Sequence, residues 1–344
     1  MTDSSGDDLD TSNEWVFYKD RPEWADVVPI QQEEGPSPVV SIRYSDKFKD
    51  IYDYVRAIMK KNEYSERAFN LTTDALKMNP ANYSVWQYRR ILLKELEKDL
   101  YKELEYLEDV IMRNPKNYQV WHHRMIIVEW LSDPSQEFEF LKRAMSQDAK
   151  NYHAWKHRQW LLKTFNLFDN ELEYTEQLIE KDIRNNSAWN QRYFVLNYTS
   201  KLNDRDALLK EIKFTMDAIL QATLNESSWN FLRGVLIHME KGLLEPEVLK
   251  FCWSLYDRGN RSPHLLGYLV DACAEAVDVK FSSDPRCSIE KGVELCKELG
   301  EKQDTIRVKY WNYMIDVLDA KRKNKLISDD IDTEKQEEMQ ETSV

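Results

Sequence analysis

Glycine is scarce in this sequence, with 8 glycines among 344 residues and none between Gly35 and Gly234. Dinucleotide-binding folds and phosphate-binding loops need glycines at a strand-to-helix turn, where the backbone must approach a phosphate closely. Tight β-hairpins also favour glycine in their turns. The scarcity of glycine therefore excludes these sites from most of the chain and favours a helical fold.

Cysteine and long apolar runs are scarce as well. The 4 cysteines are scattered without a C-x-x-C pair, so we expect reduced and mostly buried thiols. No apolar run approaches the ~20 residues that a membrane span requires. The segment MTDSSGDDLD has neither the basic region nor the apolar stretch of a secretory signal. We therefore expect a cytoplasmic protein without a membrane span.

Negative charge exceeds positive charge, with 48 Lys plus Arg, 61 Asp plus Glu and a formal net charge of −13. Residues 1–14 carry five acids and no base, and residues 327–344 carry seven acids and one lysine, so the two ends account for most of the excess. Such acidic segments are typical of solvated, disordered tails. A nucleic-acid-binding protein usually has a dominant basic face, so this composition argues against nucleic acid as a partner.

A tryptophan recurs along the chain about every 34 residues. An asparagine precedes each of these tryptophans by four residues, and an arginine follows each of the first four by three residues. Such periodicity is typical of stacked helical hairpins. The tryptophans are Trp86, Trp121, Trp155, Trp189 and Trp229.

The recurrent residues have a structural interpretation within each repeat. The asparagine predicts the start of a helix, because its side chain accepts a free N–H group of the first turn. A tryptophan and an arginine three residues apart lie on one face of that helix. We interpret the tryptophans as core residues, and the arginines as partners of carboxylates rather than of a ligand.

These patterns predict an all-α fold, an α-α superhelix in which helical-hairpin repeats form a crescent. Residues 46–321 are assigned to this repeat solenoid. Residues 1–45 are predicted to be an acidic disordered N-terminus followed by an extended segment, and residues 322–344 an acidic disordered tail. A curved array of this kind offers a concave surface to an elongated partner.

Variation between the repeats marks the candidates for ligand contact. Directly before the asparagine, three successive repeats have Lys116, Lys150 and Arg184. These cations lie next to helix N-termini, whose free N–H groups and dipole favour anions. Two interpretations stay open at this point. The edge forms a phosphate or carboxylate site, or the cations neutralise neighbouring acids.

A metal site is a weaker candidate. His153 and His157 have the i, i+4 spacing that places two ligands on one helix face. The residues between them lack the glutamate of a zinc protease motif. His157 also aligns with His123, Tyr88 and Gln191 of other repeats. We therefore interpret it as a framework position and predict no metal site in the chain itself.

The motifs PKNYQVWHHR, AKNYHAWKHRQW and RNNSAWNQRYF resemble the repeat of protein prenyltransferase α subunits. From about Trp15 to Asp319 the sequence is similar to the α subunit shared by protein farnesyltransferase and type I geranylgeranyltransferase. The resemblance implies transfer of a farnesyl or geranylgeranyl group from its diphosphate to the cysteine of C-terminal CaaX motifs, as in small GTPases. It also implies activity only as a heterodimer.

The same resemblance implies partners and cofactors. The crescent would wrap around the β subunit of farnesyltransferase or of type I geranylgeranyltransferase. That β subunit would carry Zn²⁺ and most of both substrate sites, and Mg²⁺ is the second expected cofactor.

The resemblance also implies roles for individual residues. Lys116 matches the family lysine that reaches the diphosphate, and it is the predicted catalytic residue. Tyr118 would lie beside the peptide and the diphosphate. Gln119 matches the glutamine that hydrogen-bonds the C-terminal carboxylate of the peptide. The other predicted substrate-binding residues, at the junction with the β subunit, are Asn151, Tyr152, His153 and Tyr83.

Other classes of protein account for the sequence less well. The α subunit of the Rab-type enzyme is longer and has leucine-rich repeats, which this chain lacks. A tetratricopeptide protein places Gly and Ala where its helices cross, whereas this chain has Trp and Arg. The alternative function is a non-catalytic helical-repeat scaffold that binds a peptide or a partner protein, including a family member without activity. Lys116 and Gln119 argue against that alternative.

Overall fold

The computed structural model describes residues 15–33, 35–36, 39–40, 42–278 and 284–341. Across these residues the chain forms fifteen α-helices and no β-strand. It divides into two compact units, Met1–Asn166 and Leu167–Val344. The prediction of an all-α fold built from helical hairpins is confirmed, while the curvature of the array stays a prediction.

Seven helices build the described part of the first unit. They are α1 Asp46–Lys61, α2 Glu66–Met78, α3 Tyr83–Glu95, α4 Leu100–Arg113, α5 Tyr118–Leu131, α6 Glu137–Gln147 and α7 Tyr152–Phe165. Helices α2 and α3, α4 and α5, and α6 and α7 pack as hairpins. The second helices of these hairpins also contact each other in the order α3, α5, α7. The residues that start α3, α5 and α7 consequently lie on one edge of the unit.

Eight helices build the described part of the second unit. They are α8 Glu171–Lys181, α9 Asn186–Tyr198, α10 Arg205–Gln221, α11 Glu226–Leu236, α12 Pro246–Asp257, α13 Pro263–Asp278, α14 Ile289–Glu298 and α15 Val308–Glu341. Helices α8 and α9, and α10 and α11, continue the hairpin pattern, whereas α13 packs against α12, α14 and α15. A contiguous apolar core, which includes Trp189, Trp229 and Trp253, joins these helices.

Asparagine side chains start the tryptophan-bearing helices, as predicted. The Oδ1 atom of Asn117 accepts the backbone N–H of Gln119 at 2.9 Å, and that of Asn151 accepts the N–H of His153 at 2.8 Å. Each bond satisfies a donor that the first helical turn would otherwise leave free. Equivalent caps are made by Asn82, Asn185 and Asn225.

Residues other than glycine end several helices. Asn62, Ser132 and Asn166 follow α1, α5 and α7 with φ angles of 51°, 52° and 54°. Glycine commonly takes this left-handed position, and asparagine tolerates it because its short polar side chain bonds locally. The chain therefore turns between helices with very few glycines.

The two ends of the predicted solenoid are built differently. Within residues 15–33 the structure has two short 3₁₀ turns, Tyr18–Asp20 and Pro22–Trp24, and no α-helix. The buried Tyr18 packs beside Tyr54 of α1, and its hydroxyl donates to Asp74 of α2 at 2.9 Å. At the other end, where a disordered tail is predicted, the backbone of residues 322–341 continues α15. This stretch is rich in Glu, Lys and Gln, which have high helix propensities.

The acidic ends of the chain, residues 1–14 and 342–344, lie outside the described residues. No helix in the described part combines the length and the apolar character needed to cross a membrane.

Candidate functional site

Each repeated tryptophan is buried and donates its indole N–H to the backbone carbonyl six residues earlier. Trp121, for example, donates to the carbonyl of Pro115 at 2.9 Å. The core interpretation of the tryptophans is therefore confirmed. Because the bond closes the turn before the helix, it also holds the segment that carries the candidate cations. The other donor–acceptor pairs are Trp86–Pro80, Trp155–Ala149, Trp189–Ile183 and Trp229–Thr223.

Three of the arginines that follow the tryptophans form buried ion pairs. Both guanidinium and carboxylate are almost fully shielded from solvent, and each pair makes two N–H to oxygen bonds. The prediction that these arginines pair with carboxylates is confirmed, and the pairs lie in the core rather than at the surface. They are Arg89–Glu103, Arg124–Glu137 and Arg192–Glu211, with shortest N–O distances of 2.7, 2.7 and 2.6 Å.

A histidine from the following repeat completes two of these pairs. The Nε2 atom of His123 lies 3.0 Å from Glu103, and that of His157 lies 2.7 Å from Glu137. Burial lowers the pKa of His123 to about 4 and also lowers the pKa of His157, so both rings are neutral donors at pH 7. Burial alone would raise the pKa of Glu137, but hydrogen bonds from His157 and Arg124 lower it to about 2.

The Nε2 atom of His157 is bonded to the buried Glu137, which agrees with the interpretation of His157 as a framework position. Across the described residues, no group of three or more His, Cys, Asp or Glu side chains is arranged to hold a metal ion.

The exposed edge of the first unit brings several predicted site residues together. Lys116 is exposed in the turn before α5, and Tyr118 is the first residue of that helix. The His153 ring packs edge-on against the Tyr118 ring with centroids 4.3 Å apart, and the Tyr152 ring lies 6.4 Å from it. Burial lowers the pKa of His153, so its ring is neutral at pH 7.

Two grooves meet at this edge and share Tyr118 and Gln119. One of about 560 Å³ is lined by Lys116 and the rest of its turn. The other, of about 580 Å³, is lined by His153 and by apolar side chains such as Trp160. A ligand that spans the edge can therefore reach a cation, an amide, a phenol and an apolar surface.

The cations that precede the helices differ in their surroundings. The carboxylate of Asp148 accepts the backbone N–H of Lys150 at 3.0 Å, and Asp182 does the same for Arg184 at 2.9 Å. In the repeat with Lys116, the equivalent position holds the uncharged Asn114. Lys150 and Arg184 therefore each follow a carboxylate that caps their turn, whereas Lys116 does not.

Asn151 is buried, and its side chain bonds within the chain at both ends. Its Oδ1 atom caps α7, and its Nδ2 atom donates to the carbonyl of Pro115 at 2.9 Å. The same carbonyl accepts the indole N–H of Trp121, and Lys116 is the next residue. Asn151 thus holds the turn that carries Lys116.

Tyr83 starts α3 and is 70 % exposed. The groove beside Lys116 is lined by Ala81, which lies just before α3, but not by Tyr83. The structure therefore places Tyr83 on the same edge as the other predicted residues but outside the two grooves. Of the predicted residues, the grooves are lined by Lys116, Tyr118, Gln119 and His153.

Comparison with known proteins identifies the family to which the chain belongs. The chain matches the model of the protein prenyltransferase alpha subunit repeat over residues 65–96, 100–131, 134–165, 168–199 and 208–239. The first four segments each contain one hairpin, from α2–α3 to α8–α9, and the fifth begins within α10 and contains α11. A protein farnesyltransferase/geranylgeranyltransferase type-1 subunit alpha from Solanum lycopersicum is 42% identical, over 89% of this chain and 92% of its own. The chain belongs to this α-subunit family.

Further relatives agree with that assignment. A protein of the same name from Pisum sativum is 41% identical to this α subunit, over 85% of this chain and 92% of its own. A solved structure, Candida albicans protein geranylgeranyltransferase-I complexed with GGPP, has a TM-score of 0.77 at 28% identity and covers 90% of this chain and 100% of that chain. The expected family, fold and enzyme class are confirmed: the chain is the α-subunit component of a protein prenyltransferase.

One framework feature of this α subunit escaped the sequence analysis. The buried glutamates stand on the first helix of each hairpin, 18 residues before the next repeated tryptophan. The sequence could have identified these glutamates, because the 18-residue spacing recurs without change in four repeats. The glutamates are Glu103, Glu137, Glu171 and Glu211.

Proposed function

We propose that this α subunit acts with a β subunit to transfer a farnesyl or geranylgeranyl group to the cysteine of C-terminal CaaX motifs, with small GTPases as substrates. The observation that carries the proposal is the exposed edge where Lys116, Tyr118 and Gln119 adjoin two grooves, in a chain of the prenyltransferase α-subunit family. The β subunit would be that of farnesyltransferase or of type I geranylgeranyltransferase, and we place the complex in the cytoplasm.

Lys116 acts on the leaving group in this proposal. As the thiolate sulfur attacks C1 of the prenyl diphosphate, the bond from C1 to the diphosphate oxygen breaks and negative charge grows on the diphosphate. A cation that is already in place stabilises this charge without reorganisation. Lys116 is suited to that task because it is exposed at the N-terminus of α5, where the helix dipole also favours an anion.

Neighbouring residues bind the substrates or hold Lys116 in place. The Gln119 amide donates to the terminal carboxylate of the peptide, and Tyr118 lies between the two grooves. Tyr152, His153 and Tyr83 are proposed as further substrate contacts along the same edge.

Asn151 fits a positioning role better than direct contact with substrate. It is buried, and it bonds the carbonyl of the residue that precedes Lys116.

The proposal also includes two metal ions, neither of which is held by the residues of this chain. Zn²⁺ held by the β subunit would lower the pKa of the substrate thiol, and Mg²⁺ would neutralise charge on the diphosphate.

The proposal is tested by measuring prenyl transfer to a CaaX peptide. The chain would be assayed alone and co-expressed with each β subunit, with Zn²⁺, Mg²⁺ and each prenyl diphosphate supplied. We expect activity only in a co-expressed sample, and the preferred donor then identifies the partner. A stable complex without activity would favour the non-catalytic scaffold. Failure to form a complex with either β subunit would contradict the proposal.

A further inference from the structure

Arg90 directly follows the framework arginine Arg89 on α3, but its surroundings are different. Arg89 is buried and paired with Glu103, whereas Arg90 is half-buried and makes no ion pair with any described residue. Burial lowers the pKa of Arg90, but the guanidinium stays charged because an arginine side chain keeps its proton in proteins. A partly buried charge without a counter-ion is unfavourable, so Arg90 needs its own account.

The guanidinium of Arg90 is held in one orientation. Its Nε and Nη2 atoms donate to Oε1 of Gln87 at 3.2 and 2.7 Å, and its Nη1 atom donates to Nδ1 of His123 at 3.3 Å. The other ring nitrogen of His123 is bonded to Glu103, and the ring packs against Trp86 with centroids 4.6 Å apart. One N–H on each terminal nitrogen of Arg90 is left without an acceptor among the described residues.

Arg90 occupies the position that lines a groove in the next two repeats. It stands four residues after the repeated tryptophan, as Met125 and Gln159 do in those repeats. Met125 and Gln159 line the groove of about 580 Å³ between α5 and α7, and α3 packs beside α5. Arg90 and the residues that line this groove therefore form one side of the first unit, the groove face.

The groove face is cationic, although the chain as a whole has a net charge of −13. Lys156 and Lys163 line the groove together with apolar side chains such as Trp160, and no acid is among the described residues that line it. With Arg90, three cations thus stand beside apolar surface. Charge complementarity favours a partner surface that presents carboxylates and apolar side chains.

The equivalent surface of the second unit lacks this charge. Tyr193 stands four residues after Trp189, at the position of Arg90, and it lines a groove of about 330 Å³. The described residues around that groove are uncharged, and they include Asn190 and Asn230. The positive charge is therefore a property of the first unit and not of the repeat.

The position of the groove face indicates which partner it receives. Its groove shares Tyr118 and Gln119 with the groove that Lys116 lines, so a protein seated on this face lies next to the proposed reaction. In the proposed function, the protein that brings the thiolate to the prenyl diphosphate is the β subunit.

Building on the proposed function, we propose that the β subunit docks on the groove face and that one of its Asp or Glu carboxylates forms an ion pair with Arg90. A carboxylate can accept one N–H from each terminal nitrogen of a guanidinium, which makes such pairs strong and directional. Because Gln87 and His123 already hold Arg90, little side-chain freedom is lost on binding. A fixed cation of this kind suits a carboxylate on a folded surface better than one on a solvated tail.

The first test is a competition for the β subunit. Tagged β subunit is equilibrated with equal amounts of the parent chain and of Arg90→Gln, and the two chains recovered with it are quantified by mass spectrometry. We expect the parent chain to bind about 30-fold or more tightly, because the variant leaves the partner carboxylate desolvated and unpaired. Arg143→Gln is the matched control and should bind like the parent chain, since Arg143 pairs with Glu108 on the first helices of the hairpins.

A second measurement locates the carboxylate, and it decides the matter if Arg90→Gln folds poorly. A carbodiimide couples an amine to a carboxylate without a spacer, so it joins only groups in contact. Arg90→Lys supplies an amine at this position and keeps the charge. In the assembled complex, we expect peptide mapping to show a cross-link from position 90 to an Asp or Glu of the β subunit. Lys156 of the parent chain should also cross-link to a β-subunit acid.

The outcomes separate this proposal from the proposed function. Equal recovery of Arg90→Gln and the parent chain would overturn the docking role of Arg90 while the transfer activity still stands. Cross-links from position 90 only to acids of this chain, those of residues 1–14 included, would do the same. A parent chain that binds neither β subunit would overturn both.

Discussion

The repeats of the two units share a framework but differ along their edge. The buried ion pair recurs as Arg124–Glu137 in the first unit and as Arg192–Glu211 in the second. The residues that follow the asparagine cap do not recur, since Tyr-Gln and Tyr-His in the first unit are replaced by Asn-Ser and Glu-Ser in the second. Helix packing constrains the buried positions in every repeat, whereas the edge residues are free to specialise. The contrast supports the proposal that the chemistry lies at the edge of the first unit.

The largest effect, on the free energy of unfolding, is expected from removing a buried Arg–Glu ion pair of the kind that both units share. Arg124→Met leaves the carboxylate of Glu137 buried without its ion-pair partner, which should cost about 3–5 kcal/mol of unfolding free energy. Arg192→Met should cost a similar amount in the second unit. Chemical denaturation measures both losses. The exposed pair of Arg143 and Glu108 is the control, and Arg143→Ala should cost no more than about 1 kcal/mol. A loss of that small size for Arg124→Met would show that the pair is not a framework element.

The second-largest effect should distinguish the edge of the first unit, which carries Lys116, from the equivalent edge of the second unit, which carries Arg184. Lys116→Ala should lower the single-turnover rate of prenyl transfer about 10²–10³-fold, because an electrostatic contact to the developing charge is lost. Arg184→Ala, at the equivalent position of the second unit, should leave that rate unchanged. Co-purification with the β subunit checks that both variants still form the complex. Unchanged transfer in Lys116→Ala would refute the role of the lysine.

The third effect is a dependence of stability on pH in the first unit. His123 stays neutral in the folded chain until about pH 4, whereas its ordinary pKa is 6.5. Its contribution is therefore complete above pH 6.5 and is lost as the pH falls towards 4, and the lowered pKa of Glu137 continues the loss below its usual value of 4.5. We expect Tm to fall over this range.

His123→Gln tests this pH dependence by giving the first unit the residue that the second unit has at the equivalent position. The second unit has Gln191 at this position, where its amide donates to Glu171 at 2.9 Å. An amide does not titrate, so the variant should keep the bond and lose Tm less steeply between pH 6.5 and 4 than the parent chain. An identical pH profile for the two proteins would contradict the assignment.

The smallest effect concerns the hydrogen bond from Asn151 to the carbonyl of Pro115, the residue before Lys116. Asn151→Ser keeps a helix cap but removes the amide that donates to Pro115, which should cost about 1 kcal/mol. Asn225→Ser removes the equivalent bond to Ile183 in the second unit and should cost about the same. Only Asn151→Ser is expected to lower kcat for prenyl transfer, because only that bond precedes Lys116, the proposed catalytic residue. Equal activity in the two variants would assign Asn151 a purely structural role.

Much of the framework was predictable because its signals are local. Caps such as Asn117, the burial of the tryptophans and the pairing of the arginines follow from helix geometry and spacing. The glutamate partners were missed although their spacing is regular, because no cap or turn marks them. Beyond residue 321, where α15 continues to Glu341, net charge favours a solvated tail and helix propensity favours a helix, so local signals conflict.

The candidate site was predictable in its residues and less so in their roles. The family motif identified Lys116, Tyr118 and Gln119, and the structure places them at two adjoining grooves. The motif also grouped Asn151 with the substrate contacts. Its bond to Pro115 crosses from one repeat to the next, and no pattern within a single repeat encodes such a contact.

The sequence by itself determined the helices, their caps and the buried faces of this protein, because these depend on interactions within a few residues along the chain. Only the tertiary structure decided which distant groups meet. It brought Asn151 to the carbonyl before Lys116, and it brought His157 against the Arg124–Glu137 pair. Such contacts arise where separate helices pack, and the positions of those helices depend on the whole core rather than on any local stretch of sequence.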